Sequence, residues 1–291
     1  MRRRNLLNLT LLGLVGALVG LVILRPGHEA AQPSPRLSEI DPRTITRVRL
    51  QPVTGAAIVL HRTEQRWNIV EPLRIAANPV RIRAMLALLG APSLGGFRAA
   101  GNDLAQYGLD PPRARLRVNE QIFEFGGVDP LDGRRYVLHA GQVDLVADSW
   151  SRDLTADPAD FVDPALLGPD AIPTAIRLPG VRLALVDGRW RQEPPDATAS
   201  ADRLTRLVDA WRNARAALVR PYTARREWDL KVRVRLRGAS AARRFDVARR
   251  RYETVFGWAA GGVEYHLPRT AGERLLTLRP PARAGAQAAP P

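Results

Sequence analysis

The chain lacks cysteine altogether and contains a single lysine, Lys231, among its 291 residues. Without cysteine it can form neither a disulfide framework nor a thiolate metal site. Arginine therefore supplies nearly all of the 44 basic residues. Such a bias is typical of GC-rich bacterial genomes, so the number of arginines does not by itself indicate a nucleic-acid ligand. The apolar fraction of 45% is enough for one large domain or two small ones.

The sequence also lacks the residue patterns of a catalytic or metal site. Its four histidines are His28, His61, His139 and His266, and none has a second ligand at metal-binding spacing. No serine lies in the Gly-x-Ser-x-Gly pattern of a nucleophile elbow. We therefore expect a non-enzymatic protein with no catalytic residues, no cofactor and no metal.

Four carboxylates lie close together in the middle of the chain, at Asp153, Asp157, Asp160 and Asp163. An EF-hand needs ligands at alternate residues and a glycine at the bend, whereas two prolines interrupt this run. Aspartate is a common residue in turns and at helix starts. The pattern therefore favours capping, with calcium binding as the alternative.

The first 25 residues predict the compartment. Three arginines precede an apolar run of 19 residues from Leu6 to Leu24, which as a helix spans roughly 28 Å, close to the thickness of a bilayer core. The arginines favour a cytoplasmic N-terminus. We expect residues 1–25 to be a cytoplasmic tip and transmembrane signal anchor, with the bulk of the chain in the periplasm as a single-pass inner-membrane protein. A cleaved signal peptide is the alternative.

Composition divides the rest of the chain. Residues 26–37 are proline-rich and predict a tether, and residues 280–291 predict a disordered tail. Between them we expect a first unit over residues 38–167 and a second unit over residues 168–279. A linker rich in Asp and Pro, residues 148–168, separates the two patterns.

The two units repeat one pattern. Residues 66–72 read RWNIVEP and residues 189–195 read RWRQEPP. In each unit Arg-Trp begins a third short strand, Glu-Pro ends it, and a helix follows within about a dozen residues. We expect an α+β fold of two tandem duplicated units, each a mainly antiparallel sheet with one main helix. Trp67 and Trp190 are predicted as equivalent core residues of the two copies.

Charge distinguishes the two units. Residues 38–167 carry 15 basic and 16 acidic residues, whereas residues 168–291 carry 24 and 12. Genomic bias affects both halves and does not explain the contrast. The excess of basic residues in the second unit predicts an arginine-rich face that binds an anionic ligand. A solvated sheet face is the alternative. Its candidate residues are Arg233, Arg235, Arg237, Arg243, Arg244, Arg249, Arg250 and Arg251.

Several short motifs resemble a known family. They are the Trp-x-x-x-Glu-Pro strand end, the Tyr-Gly-Leu at residues 107–109 and the FVDPALL at residues 161–167. Together they resemble the bacterial domain-of-unknown-function family numbered 4340. The resemblance implies a membrane anchor, and some members are similar to auxiliary parts of gliding-motility-type ABC transport systems. It implies no catalytic residues.

We therefore expect an accessory or scaffold protein of a membrane complex, with an ABC-type permease as the partner that the resemblance implies. The alternative is a binding module for anionic lipid headgroups or a polyanionic glycan of the envelope, acting through the arginine-rich second unit. The inner membrane is the expected partner in both cases, and nucleic acid is not, because an exported domain rarely meets it.

Overall fold

The computed structural model describes residues 13–16, 35–149, 154–196 and 199–278. Residues 13–16 are helical. The rest of the predicted signal anchor, most of the predicted tether and the predicted tail lie outside the described residues. No helix in the described part of the chain has both the length and the hydrophobicity that a membrane span requires.

The first sheet has nine strands, and every neighbouring pair is antiparallel. Its spatial order is β4-β3-β2-β1-β6-β7-β8-β9-β5. The strands are β1 (Arg47–Pro52), β2 (Ile58–Thr63), β3 (Arg66–Glu71), β4 (Ile75–Ala76), β5 (Gly96–Arg98), β6 (Ala114–Val118), β7 (Gln121–Val128), β8 (Arg134–His139) and β9 (Gln142–Ala147).

The second sheet has eight antiparallel strands in the order β12-β11-β10-β14-β15-β16-β17-β13. If the two-residue β4 is left out, both sheets have the same order, namely third, second, first, fifth, sixth, seventh, eighth and fourth strand of the unit. The strands are β10 (Pro173–Leu178), β11 (Val181–Val186), β12 (Arg189–Glu193), β13 (Leu218–Pro221), β14 (Leu230–Leu236), β15 (Arg243–Arg249), β16 (Glu253–Trp258) and β17 (Val263–Pro268).

Each sheet is accompanied by a helix where the sequence predicts one. Helix α1 (Pro79–Ala87) follows Asn78, whose side-chain oxygen accepts the N–H of Val80 at 3.0 Å. This capping and the proline at the first helical position define the start of the helix, which lies within the predicted distance of about a dozen residues after the third strand. Helix α2 (Ala201–Asn213) has Ser200 at its N-cap position. A short helix α3 (Arg269–Leu276), which was not predicted from the sequence, packs on β16, β17 and α2.

The end of the predicted linker joins the two sheets. We call residues 161–168 the strap. On one side the N–H of Asp163 donates to the carbonyl of Ala76 in β4 at 2.9 Å, and on the other the N–H of Leu166 donates to the carbonyl of Ala214 at 2.9 Å. The strap is therefore bonded to both units along its length.

A single hydrophobic cluster runs through both units. It includes strand residues of both sheets, the apolar face of α2 and four strap side chains that are at most 2% exposed, Phe161, Val162, Leu166 and Leu167. Burial of this apolar area is the main stabilising term of such a body. The structure is α+β with mainly antiparallel sheets, which confirms this part of the predicted fold class.

Candidate functional site

The eight arginines of the predicted anionic-ligand face divide into three places. Strand β15 alternates in burial, so Arg243 points to the core side of the second sheet and Arg244 to the outer side. Arg233 and Arg235 of β14 are exposed on that outer side, and Arg237 follows the strand. The remaining three, Arg249, Arg250 and Arg251, lie at the end of β15 and in the turn after it.

The outer side carries a row of arginines that is not evident from the sequence. The strand register places Arg182 of β11 opposite Arg177 of β10, Arg177 opposite Arg233 of β14, and Arg233 opposite Arg244 of β15. All four side chains are exposed. We call these four residues the outer arginine row. With strands about 4.8 Å apart, the row spans roughly 15 Å.

Within the described residues, the three arginines Arg177, Arg233 and Arg244 make no ion pair, while Arg182 lies 3.0 Å from Glu193. Besides Glu193, three acidic residues share this side of the sheet, and each has another partner. Glu253 lies 3.0 Å from His266. Asp246 accepts a hydrogen bond from the Tyr222 hydroxyl at 3.0 Å, and Glu264 pairs with Arg226. The row therefore keeps most of its positive charge.

Like charges placed directly opposite each other on neighbouring strands destabilise a sheet. Arg233 lies between Arg177 and Arg244, so Arg233→Gln, which keeps the aliphatic stem, is expected to raise the free energy of unfolding by roughly 0.2–1 kcal/mol. Urea denaturation measures it. Arg115→Gln is the matched control: Arg115 lies opposite Glu124 at 2.6 Å, so its loss should lower stability. Equal effects of both substitutions would contradict cross-strand repulsion as the cause.

Arg243 lies in a cavity between the two sheets. Its Nη1 donates to the carbonyl of Leu166 in the strap at 3.0 Å, and its guanidinium carbon is 4.0 Å from the centre of the Trp258 ring. Burial lowers the pKa of Arg243 from its usual value, since burial disfavours the charged form. It is thus separated from the outer row, although it is adjacent in sequence to Arg244.

The last three predicted arginines border a second cavity of about 720 Å³, beside α3. Arg269 and Arg274 of α3 complete its basic lining. Its charges are partly matched, since Arg269 lies 2.6 Å from Glu273 and Arg250 lies 3.7 Å from Asp229. The cavity is basic, but two of its arginines have carboxylate partners. Within the described residues, Arg177, Arg233 and Arg244 of the outer arginine row have none.

The two repeated tryptophans are half-buried and pack against the core. Trp67 lies opposite Arg62, whose guanidinium carbon is 5.8 Å from its ring, and Trp190 lies opposite Leu185. Among the tryptophans that the structure describes, the fully buried one is Trp211 of α2, which contacts aromatic rings of the second sheet. Its place in the amphipathic pattern of α2 was visible in the sequence, but its central position was not.

The histidines lie apart from one another. His139 stacks on Phe123, and His61 lines the cavity between the sheets. His266 lies between two carboxylates, with Nε2 3.1 Å from Glu264 and Nδ1 3.0 Å from Glu253. Among the described residues no group of three or more His, Asp or Glu side chains could hold a metal ion. His28 lies outside the described residues.

The predicted aspartate cluster forms caps. Asp157 and Asp160 make a reciprocal capping box at the 3-10 helix Pro158–Phe161. Asp163 accepts the N–H of Ala165 at 2.8 Å. These contacts confirm the capping interpretation for the three carboxylates. Asp153 lies outside the described residues.

A family model matches residues 67–232, which is more than half of the chain. Its description is Domain of unknown function (DUF4340). The chain belongs to this family. No curated protein and no solved structure matches the chain.

The DUF4340 match has a consequence for the candidate site. The matched range contains the strap and two members of the outer arginine row, Arg177 and Arg182. It ends one residue before Arg233, so all eight arginines predicted from the sequence lie beyond it. Membership of DUF4340 therefore assigns no role to them.

Proposed function

We propose that the protein is a non-enzymatic binding subunit that docks on an anionic membrane surface through the outer arginine row. The observation that carries this proposal is the row itself: four exposed arginines on four adjacent strands, three of them without an ion pair among the described residues. Adjacent arginines repel one another and lower the stability of the free protein. The same arginines become favourable when an anionic surface supplies the opposite charge.

An anionic bilayer supplies that charge well. Each arginine near such a surface contributes about 1 kcal/mol of attraction. Because the row lies on one face of a sheet, its guanidinium groups approach a surface together. In the proposed setting, residues 1–25 anchor the chain in the inner membrane and residues 26–37 tether the body beside it. The protein then serves as an accessory or scaffold subunit of a membrane complex, with an ABC-type permease as the proposed neighbour.

We also propose that the two sheets are copies of one duplicated unit. The shared strand order and the repeated Arg-Trp and Glu-Pro positions on β3 and β12 support this. In the second copy the outer side acquired the arginine row. On the corresponding side of the first sheet the row is shorter: Arg49 lies opposite Arg117, and the next residues across the strands are Val59 and Ile122. Arg49 also lies 3.7 Å from Glu71. Docking therefore belongs to the second unit.

Sedimentation with vesicles tests the docking proposal. Residues 35–291, without the predicted anchor, are mixed with vesicles of phosphatidylcholine with or without phosphatidylglycerol. We expect binding only to the anionic vesicles. It should weaken strongly between ~0.1 M and ~1 M salt, because the Debye length falls from about 10 to about 3 Å. Equal binding to both vesicle types, or binding that ignores salt, would refute docking by charge.

A further inference from the structure

The cavity that contains Arg243 is built by both units. Its volume is about 690 Å³, within the range of small-molecule sites. The first sheet contributes apolar residues that are half-buried, including Val70 of β3 and Ile75 of β4, and the second sheet contributes Arg243, Trp258 and Tyr265. The strap passes along it between the two sheets. Ligand sites are common at such junctions.

Arg243 brings an unmatched positive charge into this cavity. It makes no ion pair with a carboxylate among the described residues, and only Nη1 donates to a protein carbonyl. The Nε–H and Nη2–H donors have no protein acceptor in that part of the chain. A half-buried charge without a counter-charge is costly. The ring of Trp258 compensates in part, as a cation–π partner.

Tyr265 adds a second donor beside Arg243. The residue is 1% exposed, and its hydroxyl has no hydrogen bond within the described residues, although it lines the cavity. Burial raises the pKa of Tyr265 above its usual value, so the hydroxyl stays protonated and can donate.

We propose that this cavity binds a small organic anion, a carboxylate or a phosphate monoester carried on an apolar or aromatic body. The fork of Arg243 and the hydroxyl of Tyr265 hold the anionic group. Ile75 and the Trp258 ring contact the body. The site is distinct from the outer arginine row, because neighbouring residues of β15 point to opposite sides of the sheet.

The acidic residues at the cavity do not supply the missing counter-charge. Asp163 accepts the N–H of Ala165 at 2.8 Å and lies 3.4 Å from Arg215. Glu71 is at the end of β3, 3.7 Å from Arg49. Asp163 is therefore engaged elsewhere, and the side chain of Glu71 is 65% exposed and mainly solvated. Arg74 also lines the cavity, so the charge that the cavity lacks is negative.

Isothermal titration calorimetry on the full chain in a non-ionic detergent tests the proposal. The probes are benzoate, phenyl phosphate and the neutral benzamide. We expect one equivalent of benzoate or phenyl phosphate to bind, the tighter of the two identifying the anionic group, and benzamide not to bind. Arg243→Gln should weaken binding roughly tenfold or more, and Tyr265→Phe by a smaller factor, as expected for lost charged and neutral hydrogen bonds.

Arg244→Gln is the matched control, since it removes the adjacent charge on the outer side and should leave probe affinity unchanged. Circular dichroism checks that each variant is folded. If Arg243→Gln does not fold, Arg243→Lys keeps the charge, loses the bidentate fork and should still weaken binding. The proposal is overturned if neither anion binds, if benzamide binds equally well, or if binding survives both Arg243 and Tyr265 substitutions. Vesicle docking can succeed or fail independently of these outcomes.

Discussion

The triple variant Arg177→Glu, Arg233→Glu and Arg244→Glu is expected to lose vesicle binding by more than about a hundredfold. Each arginine contributes on the order of 1 kcal/mol at an anionic surface, and reversal replaces each attraction by a repulsion. A change of about 1.4 kcal/mol alters an equilibrium tenfold, so three reversals exceed a hundredfold even if each has only half of its full effect. Sedimentation with phosphatidylglycerol vesicles measures the loss.

The fold should tolerate this change. The three positions are exposed and lie opposite one another across strands β10, β14 and β15. Three glutamates repel one another much as three arginines do, and Arg177→Glu places a carboxylate opposite Arg182, so the cross-strand electrostatic cost does not rise. Thermal unfolding followed by circular dichroism should give similar midpoints for the variant and the parent. Any loss of vesicle binding is then caused by the changed charge of the outer arginine row and not by unfolding.

A second triple variant tests whether vesicle binding depends on the position of the arginines or only on the net charge of the protein. Arg47, Arg83 and Arg117 of the first unit are exposed and make no ion pair among the described residues. Their replacement by glutamate changes the net charge by the same amount. We expect this control to keep most of the binding, because its charges lie on another unit. If both variants lose binding equally, the docking site is not the outer arginine row.

Local signals predicted the elements of the fold well. The Arg-Trp pairs start β3 and β12, and each of these strands ends at the glutamate before a proline. Asn78 and Pro79 start α1 as predicted. These successes rest on interactions within a few residues, such as capping and the missing N–H of proline. The bonds of the strap to both sheets were not predicted, because they join residues about 50 to 90 positions apart.

In the candidate site, too, only the features that depend on neighbouring residues could be predicted from the sequence. The alternation in β14 correctly predicted exposed arginines at Arg233 and Arg235. Grouping by sequence placed Arg243 and Arg244 together, whereas a strand sends adjacent side chains to opposite sides. Arg177 and Arg182 were missed because the other two members of the row, Arg233 and Arg244, lie more than 50 residues away, and only the strand register brings the two pairs together. A row across a sheet has no continuous signal in the sequence.

Trp211→Ala is expected to have the largest effect on stability, about 3–5 kcal/mol. The indole is fully buried, its Nε1–H donates to the carbonyl of Leu275 in α3 at 2.8 Å, and its ring lies 5.9 Å from Phe245 and 5.6 Å from Phe256. Removal leaves a cavity among α2, α3 and the second sheet, and it leaves the carbonyl without its donor. For a protein of ordinary stability, about 5–15 kcal/mol, this is a large share. Urea unfolding of the parent and the variant measures it.

Two further substitutions show which part of this loss comes from the central position of Trp211. Trp211→Phe keeps a packed ring and removes the donor, so it should cost only about 1–2 kcal/mol. Trp190→Ala removes a half-buried indole at the edge of the core and should cost about 1–2 kcal/mol, because less apolar area returns to water. If Trp190→Ala were as damaging as Trp211→Ala, the repeated tryptophans would be the central core residues that the sequence pattern predicts. A smaller cost for Trp190→Ala makes them peripheral packing residues, and it places the centre of the second unit at the contact between its helices and its sheet.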